Sequence, residues 1–354
     1  MNELNTQTKG WIDLITIKEI AKAAGVSVST ASIVLRGESE KRKVAPATAQ
    51  KVLKTAQQLD YTPNVSARRL RAPQSDGLMI SIFWASFWAG EFRVPTLQFL
   101  RGVQSVLDTC QQKCELMIHP YQRGHLADNI SRLSLCHAAI VCNATPADVE
   151  ALEKARLPVP VVLHSRQSDV LPCVNIDYNT AGKIPANVFK SYGMQNAVLC
   201  ASAAPFSGAS DCEASFFHQV LQAGLTVRRI EVEHTMRGGY EAANLIAQMN
   251  PRPDCVFFMS DVLALGALRG FHENQIKIPQ DLKLISLGSY DADMEEYVMP
   301  SLSVVRMPME ELGAAAFTKA IHLITGDREE RVTRLPLSYV SRESCGPEMT
   351  KEIS

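Results

Sequence analysis

Apolar positions along the chain change rhythm once, near residue 77. Between residues 16 and 59 they recur at helical intervals: Ile17, Ile20, Ala21 and Ala24 make one face, and Ala31, Val34 and Leu35 make a second. Gly25 lies between the two and can take a positive φ without steric cost, which predicts a tight turn joining two short helices. Ser27 stands at the cap position of the second helix, and Thr16 and Glu19 have the spacing of a capping box. From Gly77 onward the pattern becomes apolar runs separated by helical stretches. Runs at 77–84, 114–121, 137–143 and 159–165 predict one set of strands, and runs at 197–202, 228–233, 255–260 and 283–289 predict another. Segments such as 95–112, 208–223, 236–249 and 261–274 read as helices between them. Apolar strands alternating with helices predict a parallel sheet covered on both faces, here built twice. The class is α/β: a small helical head on a body of two lobes.

The second helix keeps a face with no core to fill: Val28, Ser29, Ser32, Ile33 and Arg36. Small polar, apolar and basic groups on an exposed helix end suit the DNA major groove, which admits an α-helix. Charge agrees. Residues 16–71 hold eleven Lys and Arg against four acids, a formal +7 in a chain whose total is −1, so the remainder carries −8. A basic head on an acidic body argues for phosphate binding rather than general adhesiveness. After Tyr61, Pro63 stops a helix and Asn64 can cap a new one through Leu70. So short a helix does not hold alone in water, which predicts ordering on DNA; a plain basic linker is the alternative reading.

Other classes find less support. No apolar run approaches the roughly 20 residues of a membrane span, and the first fifteen residues are polar, so a cytoplasmic protein without a membrane partner is expected. Nine cysteines fall mostly in strand patterns and read as buried reduced thiols; Cys110 and Cys114, four apart, read as helical neighbours with nothing to complete a zinc site. The histidines make no nucleophile, metal or acid-base arrangement, and no Gly-rich phosphate loop follows a strand. Neither an enzyme nor a cofactor or metal is expected.

AGVSVST, YTPNVSARRL and SDVLALGALRGFHENQIKIPQDLKLISLGSYD occur in an order that resembles the lactose/galactose repressor (LacI/GalR) family of bacterial transcription regulators. The resemblance implies a helix-turn-helix head on a two-lobed, periplasmic-binding-protein-like core of doubly wound parallel sheets. Laid on this chain, it gives an extension at 1–15, a DNA-binding domain at 16–62, and a hinge helix with linker at 63–76. The first lobe takes 77–176 and 303–330, the second 177–302 and 331–345, and a tail 346–354; that tail has no heptad pattern, so a dimer is expected. Implied partners are a near-palindromic double-stranded DNA operator, a second copy of the chain, and an unidentified small-molecule effector between the lobes. The expected DNA contacts are Thr16, Ser27, Val28, Ser29, Thr30, Ser32, Ile33, Arg36, Lys41, Arg42, Lys43, Thr48, Tyr61, Asn64, Ala67, Arg68 and Leu70. Leu70 takes the role of a wedge in the minor groove.

The chain also departs from that family. Ile33 stands where an arginine is usual and Arg36 where an asparagine is usual, so guanine recognition gives way to contact with thymine methyl groups. The loop 37–43 is longer than usual and ends in Lys41, Arg42 and Lys43, while Ala45 replaces a serine. Effector contacts are expected at Trp84, Phe87, Trp88, Arg166, Asp177, Cys212, Ser260, Asp261 and Tyr290, but Cys212, Ser260 and Tyr290 replace an arginine, an asparagine and an aspartate. Those losses would leave sugar hydroxyls unpaired at about 1–3 kcal/mol each. A sugar is therefore disfavoured as effector. The function expected is an effector-controlled repressor; the alternative is a DNA-binding regulator whose core is a protein-protein module without a small-molecule effector.

Overall fold

The computed structural model describes residues 17–35, 39, 42–59, 77–85, 93–202, 208–288, 292–327 and 330–346. The head consists of α1 (Ile17–Ala24), α2 (Val28–Leu35) and α3 (Pro46–Gln58). Gly25, at φ +62°, makes the turn between the first two, as its place in the sequence predicts. Ile20, Ala21, Ala24, Ala31, Val34, Val52 and Ala56 close the head's core. Ala45 caps α3 with no side-chain hydrogen bond, and Pro46 follows, where its missing N–H costs nothing.

The body holds two six-stranded sheets. In the first, β1 (Leu78–Ala85), β2 (Cys114–Tyr121), β3 (Ala138–Cys142), β4 (Val161–His164) and β5 (Cys173–Ile176) are joined by a late strand, β11 (Val332–Leu335), in the order β11-β5-β4-β3-β1-β2. Every pairing is parallel. Helices α4 (Arg93–Thr109), α5 (Pro146–Lys154) and α11 (Met309–Thr325) belong to this lobe. Alternation along the strands sends Ile80, Ile82, Ile140 and Val162 toward Phe99, Val103, Leu312 and Phe317. The opposite face receives Met79, Phe83, Val141 and Leu163. Helices α4 and α11 touch backbone to backbone: a Cβ on Gly102 would lie 1.7 Å from the Glu310 carbonyl oxygen.

The second sheet contains β6 (Asn196–Ser202), β7 (Thr226–Val232), β8 (Cys255–Phe258), β9 (Lys283–Gly288), β10 (Ser303–Arg306) and β12 (Ser338–Val340), in the order β12-β10-β9-β8-β6-β7. Only the β10–β12 pairing is antiparallel. Its helices are α6 (Tyr178–Ser191), α7 (Ala209–Gln222), α8 (Met236–Ala247), α9 (Asp261–Glu273) and the short α10 (Ala292–Glu296).

Two sequence expectations need correcting here. Residues 303–306, expected in the first lobe, pair with β9 of the second sheet, and 332–335, expected in the second, pair with β5 of the first. Each run is too short and too plain to reveal its sheet; only pairing decides it. Cys110 and Cys114 do not share a helix, because α4 ends at Thr109 and Cys114 opens β2.

The chain passes between the sheets from β5 to α6, from β10 to α11 and from β11 to β12. Each passage contributes one side chain, Tyr178, Met307 and Leu337, that packs against the cores of both lobes. The carboxyl ends of the parallel strands in both sheets face this junction, the place where open α/β sheets bind ligands.

Candidate nucleic-acid interface and interlobe cleft

Ser27 caps α2 by accepting the Thr30 N–H at 3.1 Å, and its Oγ lies 2.8 Å from the hydroxyls of both Ser29 and Thr30. Core positions Ala31 and Val34 fix which way the helix faces. Outward are Val28, 42% exposed, and Ser29, with Ser32 and Ile33 half-buried at the flank. Arg42 and Lys43 are exposed beyond the helix, and Thr48 is half-buried on α3. These groups share one small rigid unit. Thr16, Arg36, Lys41, Tyr61, Asn64, Ala67, Arg68 and Leu70 lie outside the described residues.

Among the expected cleft residues, Trp84 is half-buried at the end of β1, its ring edge-on to Phe99 with centroids 5.2 Å apart. Beyond it sits His164, wholly buried, with its pKa pushed down to about 3 by burial and then by Arg166. Arg166 follows β4, half-buried. Its Nε–H donates to the Ala144 carbonyl, and the Arg166 backbone carbonyl accepts from Asn175 Nδ2 at 2.8 Å. Among the described residues its guanidinium meets no carboxylate at salt-bridge distance. Burial lowers the Arg166 pKa, and Arg123 lowers it further, so a second cation lies near. Asp148, whose charge is felt at Arg166, already accepts the N–H groups of Gly124, Leu126 and Thr145. Tyr121 and Tyr178 border the same spot.

Other expected contacts are used structurally. Asp177 is exposed and caps α6, accepting the Asn179 N–H at 3.0 Å and the Thr180 hydroxyl at 2.7 Å. Cys212 is wholly buried in the second lobe's core on α7, where it serves packing. Ser260 caps α9 and lies 2.7 Å from His234 Nε2, while Asp261 is buried and accepts the Val262 N–H. Phe87, Trp88 and Tyr290 lie outside the described residues.

Sequence reasoning missed Glu295. Its carboxylate is wholly buried, accepts from Arg306 Nη2 at 2.6 Å and lies 3.4 Å from Arg342 Nη1. Burial raises its pKa to about 7, the two arginines oppose the rise, and Asp261 adds to it. Nothing in DADMEEY distinguishes this glutamate from its solvated neighbours. Arg123 and Tyr121 gave no signal either, because their roles appear only once β2 and β4 are set around β1 and β3.

Comparison with known proteins fits this division. Residues 16–64 match the bacterial regulatory proteins, lacI family, and residues 186–345 match the periplasmic binding protein-like domain. The catabolite control protein A of Priestia megaterium is 28% identical over 344 residues, covering 93% of this chain and 99% of that protein. The HTH-type transcriptional repressor PurR of Edwardsiella ictaluri is 26% identical over 329 residues, covering 90% and 93%. Among solved structures, a LacI family transcription regulator from Clostridium acetobutylicum superposes with a TM-score of 0.70 at 26% identity, covering 75% of this chain and 99% of that one. The lac repressor dimer bound to operator and the anti-inducer ONPF shares the fold, with a TM-score of 0.66 at 19% identity over 94% of this chain and 99% of that one. Among the described residues no helix is long and apolar enough to cross a membrane. A capped reading helix on a small basic head, followed by two doubly wound lobes joined three times, with relatives of the same layout along nearly the whole chain, gives this protein a lacI-family DNA-binding domain on a periplasmic binding protein-like core and identifies it as a DNA-binding transcription regulator.

Proposed function

We propose that the protein is a cytoplasmic repressor that acts as a homodimer on a near-palindromic operator, without catalytic activity. Helix α2 enters the major groove, and the segment 64–70 presses Leu70 into the minor groove between the half-sites. The observation that carries this reading is the outward face of α2, where Val28 and Ser29 are exposed on a helix locked by Ser27 and by its own core. Val28 and Ile33 favour half-sites rich in A·T at the positions they cover. Selection of binding sites from random duplexes with the full chain tests it. Enrichment of an inverted repeat with A·T steps in each half-site is expected; no preference over random competitor at moderate salt overturns it.

The body is the effector-controlled part. With Cys212 in the core, Asp177 and Ser260 serving as caps and Asp261 buried, the neutral polar donors that suit a simple sugar are scarce. Arg166, half-buried, with no carboxylate at salt-bridge distance among the described residues and with Arg123 nearby, favours an effector that carries an acidic group. Trp84 supplies an apolar wall. This arrangement supports a small-molecule effector over a core that only binds proteins. Thermal denaturation of the full chain with sugars, sugar acids, sugar phosphates and aromatic acids discriminates. A marked rise in Tm with a neutral hexose, and none with any acid, overturns the acidic-effector reading.

A further inference from the structure

All nine cysteines lie in described residues, and their exposure divides them sharply. Seven are buried; Cys110 and Cys114 are partly exposed. These two are also a touching pair, with their Sγ atoms 3.9 Å apart. They bracket the short irregular loop that leads from the end of α4 into β2. A disulfide needs an S–S separation of about 2.05 Å, so closure asks for an approach of about 2 Å, within reach of side-chain rotation in a surface loop. We propose that Cys110 and Cys114 form an oxidation-responsive dithiol site, which hydrogen peroxide converts to an intramolecular disulfide.

Atoms and electrons balance. The Cys110 thiolate attacks one peroxide oxygen, the O–O bond breaks, and a sulfenic acid and one water result after proton transfer. The Cys114 sulfur then attacks the sulfenyl sulfur, the S–O bond breaks, and a second water leaves as the S–S bond forms. Two thiols lose two electrons and two protons, and one hydrogen peroxide is reduced. The order follows from the surroundings: burial and then the neighbouring Cys110 push the Cys114 thiol up to about 11, so Cys114 is poorly supplied as the first thiolate. Its closeness to Cys110 suits it to the resolving step instead.

The position gives the bridge a consequence. Lys113, inside the loop, accepts the Leu78 N–H at 2.8 Å, and Leu78 and Cys114 are register partners at the start of β1 and β2. A Cβ on Gly77 would lie 3.1 Å from the same Lys113 carbonyl oxygen. The loop therefore holds the residues at which the chain enters the body after the segment expected to grip the minor groove. Tying α4 to β2 at this point shifts that entry and lowers operator affinity.

The test uses the reduced full chain treated with hydrogen peroxide near stoichiometry, followed by thiol blocking, denaturation and peptide mapping. A Cys110–Cys114 linkage should dominate, with the other seven sulfurs still free, and C110S or C114S should abolish it without changing the affinity of the reduced protein for a selected duplex. Oxidation should weaken duplex binding at least fivefold in the parent chain and leave the double C110S/C114S variant unchanged. Both thiols remaining free, or both going to sulfinic acid without a linkage, overturns the site. A linked protein that binds the duplex as tightly as the reduced one overturns its regulatory consequence. Loss of all duplex binding by the reduced chain would instead count against the DNA-binding reading, so the two failures are distinguishable.

Discussion

The head is the part of the molecule whose core is smallest, so a single large side chain counts most there. Of its seven buried core residues four are alanines, so Ile20, Val34 and Val52 supply most of the side-chain volume in that cluster. Ile20 is fully buried, and Ile20→Ala deletes three carbons worth about 0.8 kcal/mol each, plus a cavity term that brings such changes to about 2–5 kcal/mol. A unit of about 40 residues has about 2–6 kcal/mol of stability to lose. The substitution thus removes most or all of it, while leaving the lobes untouched. Since only the folded head binds, apparent operator affinity falls in proportion to its population, about twofold for each head if the residual stability is zero and about tenfold if it is about 1.3 kcal/mol below zero. Fluorescence anisotropy on a selected duplex measures the loss, and the main thermal transition of the body, unchanged, shows that the damage is local. Leu53→Ala, at a position 53% exposed on α3, serves as the control and should stay within threefold of the parent. Parent-like affinity in the Ile20→Ala protein would refute the claim that this small core sets the reading helix in place.

Ile33→Arg should raise preference for sites with guanine opposite that position by about 1–3 kcal/mol, read by repeating the site selection; an unchanged consensus would detach Ile33 from the groove. Arg166→Gln should weaken binding of an acidic effector by about 1.5–3 kcal/mol, measured calorimetrically, while operator affinity without effector stays the same. For His164 the folded pKa lies below the unfolded one, so the native state binds fewer protons and stability is lost as pH falls below about 6.5. Between pH 7.5 and pH 5 that loss is about 2 kcal/mol, and His164→Leu should remove it from the difference between urea midpoints at the two pH values. Gly102→Ala gains about 1 kcal/mol of helix propensity yet forces α4 off α11; a net loss of at least 1 kcal/mol in urea titration is expected, and a gain would contradict the close approach.

How much of this was legible follows from where each signal resides. The head was readable because its apolar spacing, its glycine turn and its cap are all local, and the eight strands with strong apolar runs were found to within a few residues. The short strands 173–176, 303–306, 332–335 and 338–340 were not, since each is defined by a partner far away in sequence rather than by its own pattern. The same limit explains the cleft. Trp84 and Arg166 could be singled out as candidates because each stands at the end of an apolar run. The burial of Cys212 was not legible because its place relative to the cleft depends on how α7 packs against α6, and there its backbone carbonyl lies against Gly182. Glu295 went unseen because its acidic neighbours read as solvated, and only the fold turns it toward Arg306 and Arg342.

The passages between the lobes bear on how a bound ligand reaches the head. A ligand shifts an equilibrium only by its difference in affinity for the two arrangements. Tyr178, Met307 and Leu337 each belong to both cores, so rotating one lobe against the other must repack three apolar side chains together. Close-packed interiors resist such intermediate positions, which favours two discrete arrangements over a continuum. Arg166 lies on the cleft side of this junction, and Gly77 lies at the opposite end of β1 from Trp84. An acid drawn to Arg166 therefore acts at one end of a rigid parallel sheet whose other end carries the chain toward DNA. The sheet itself, rather than any single contact path, is the element that can transmit the change.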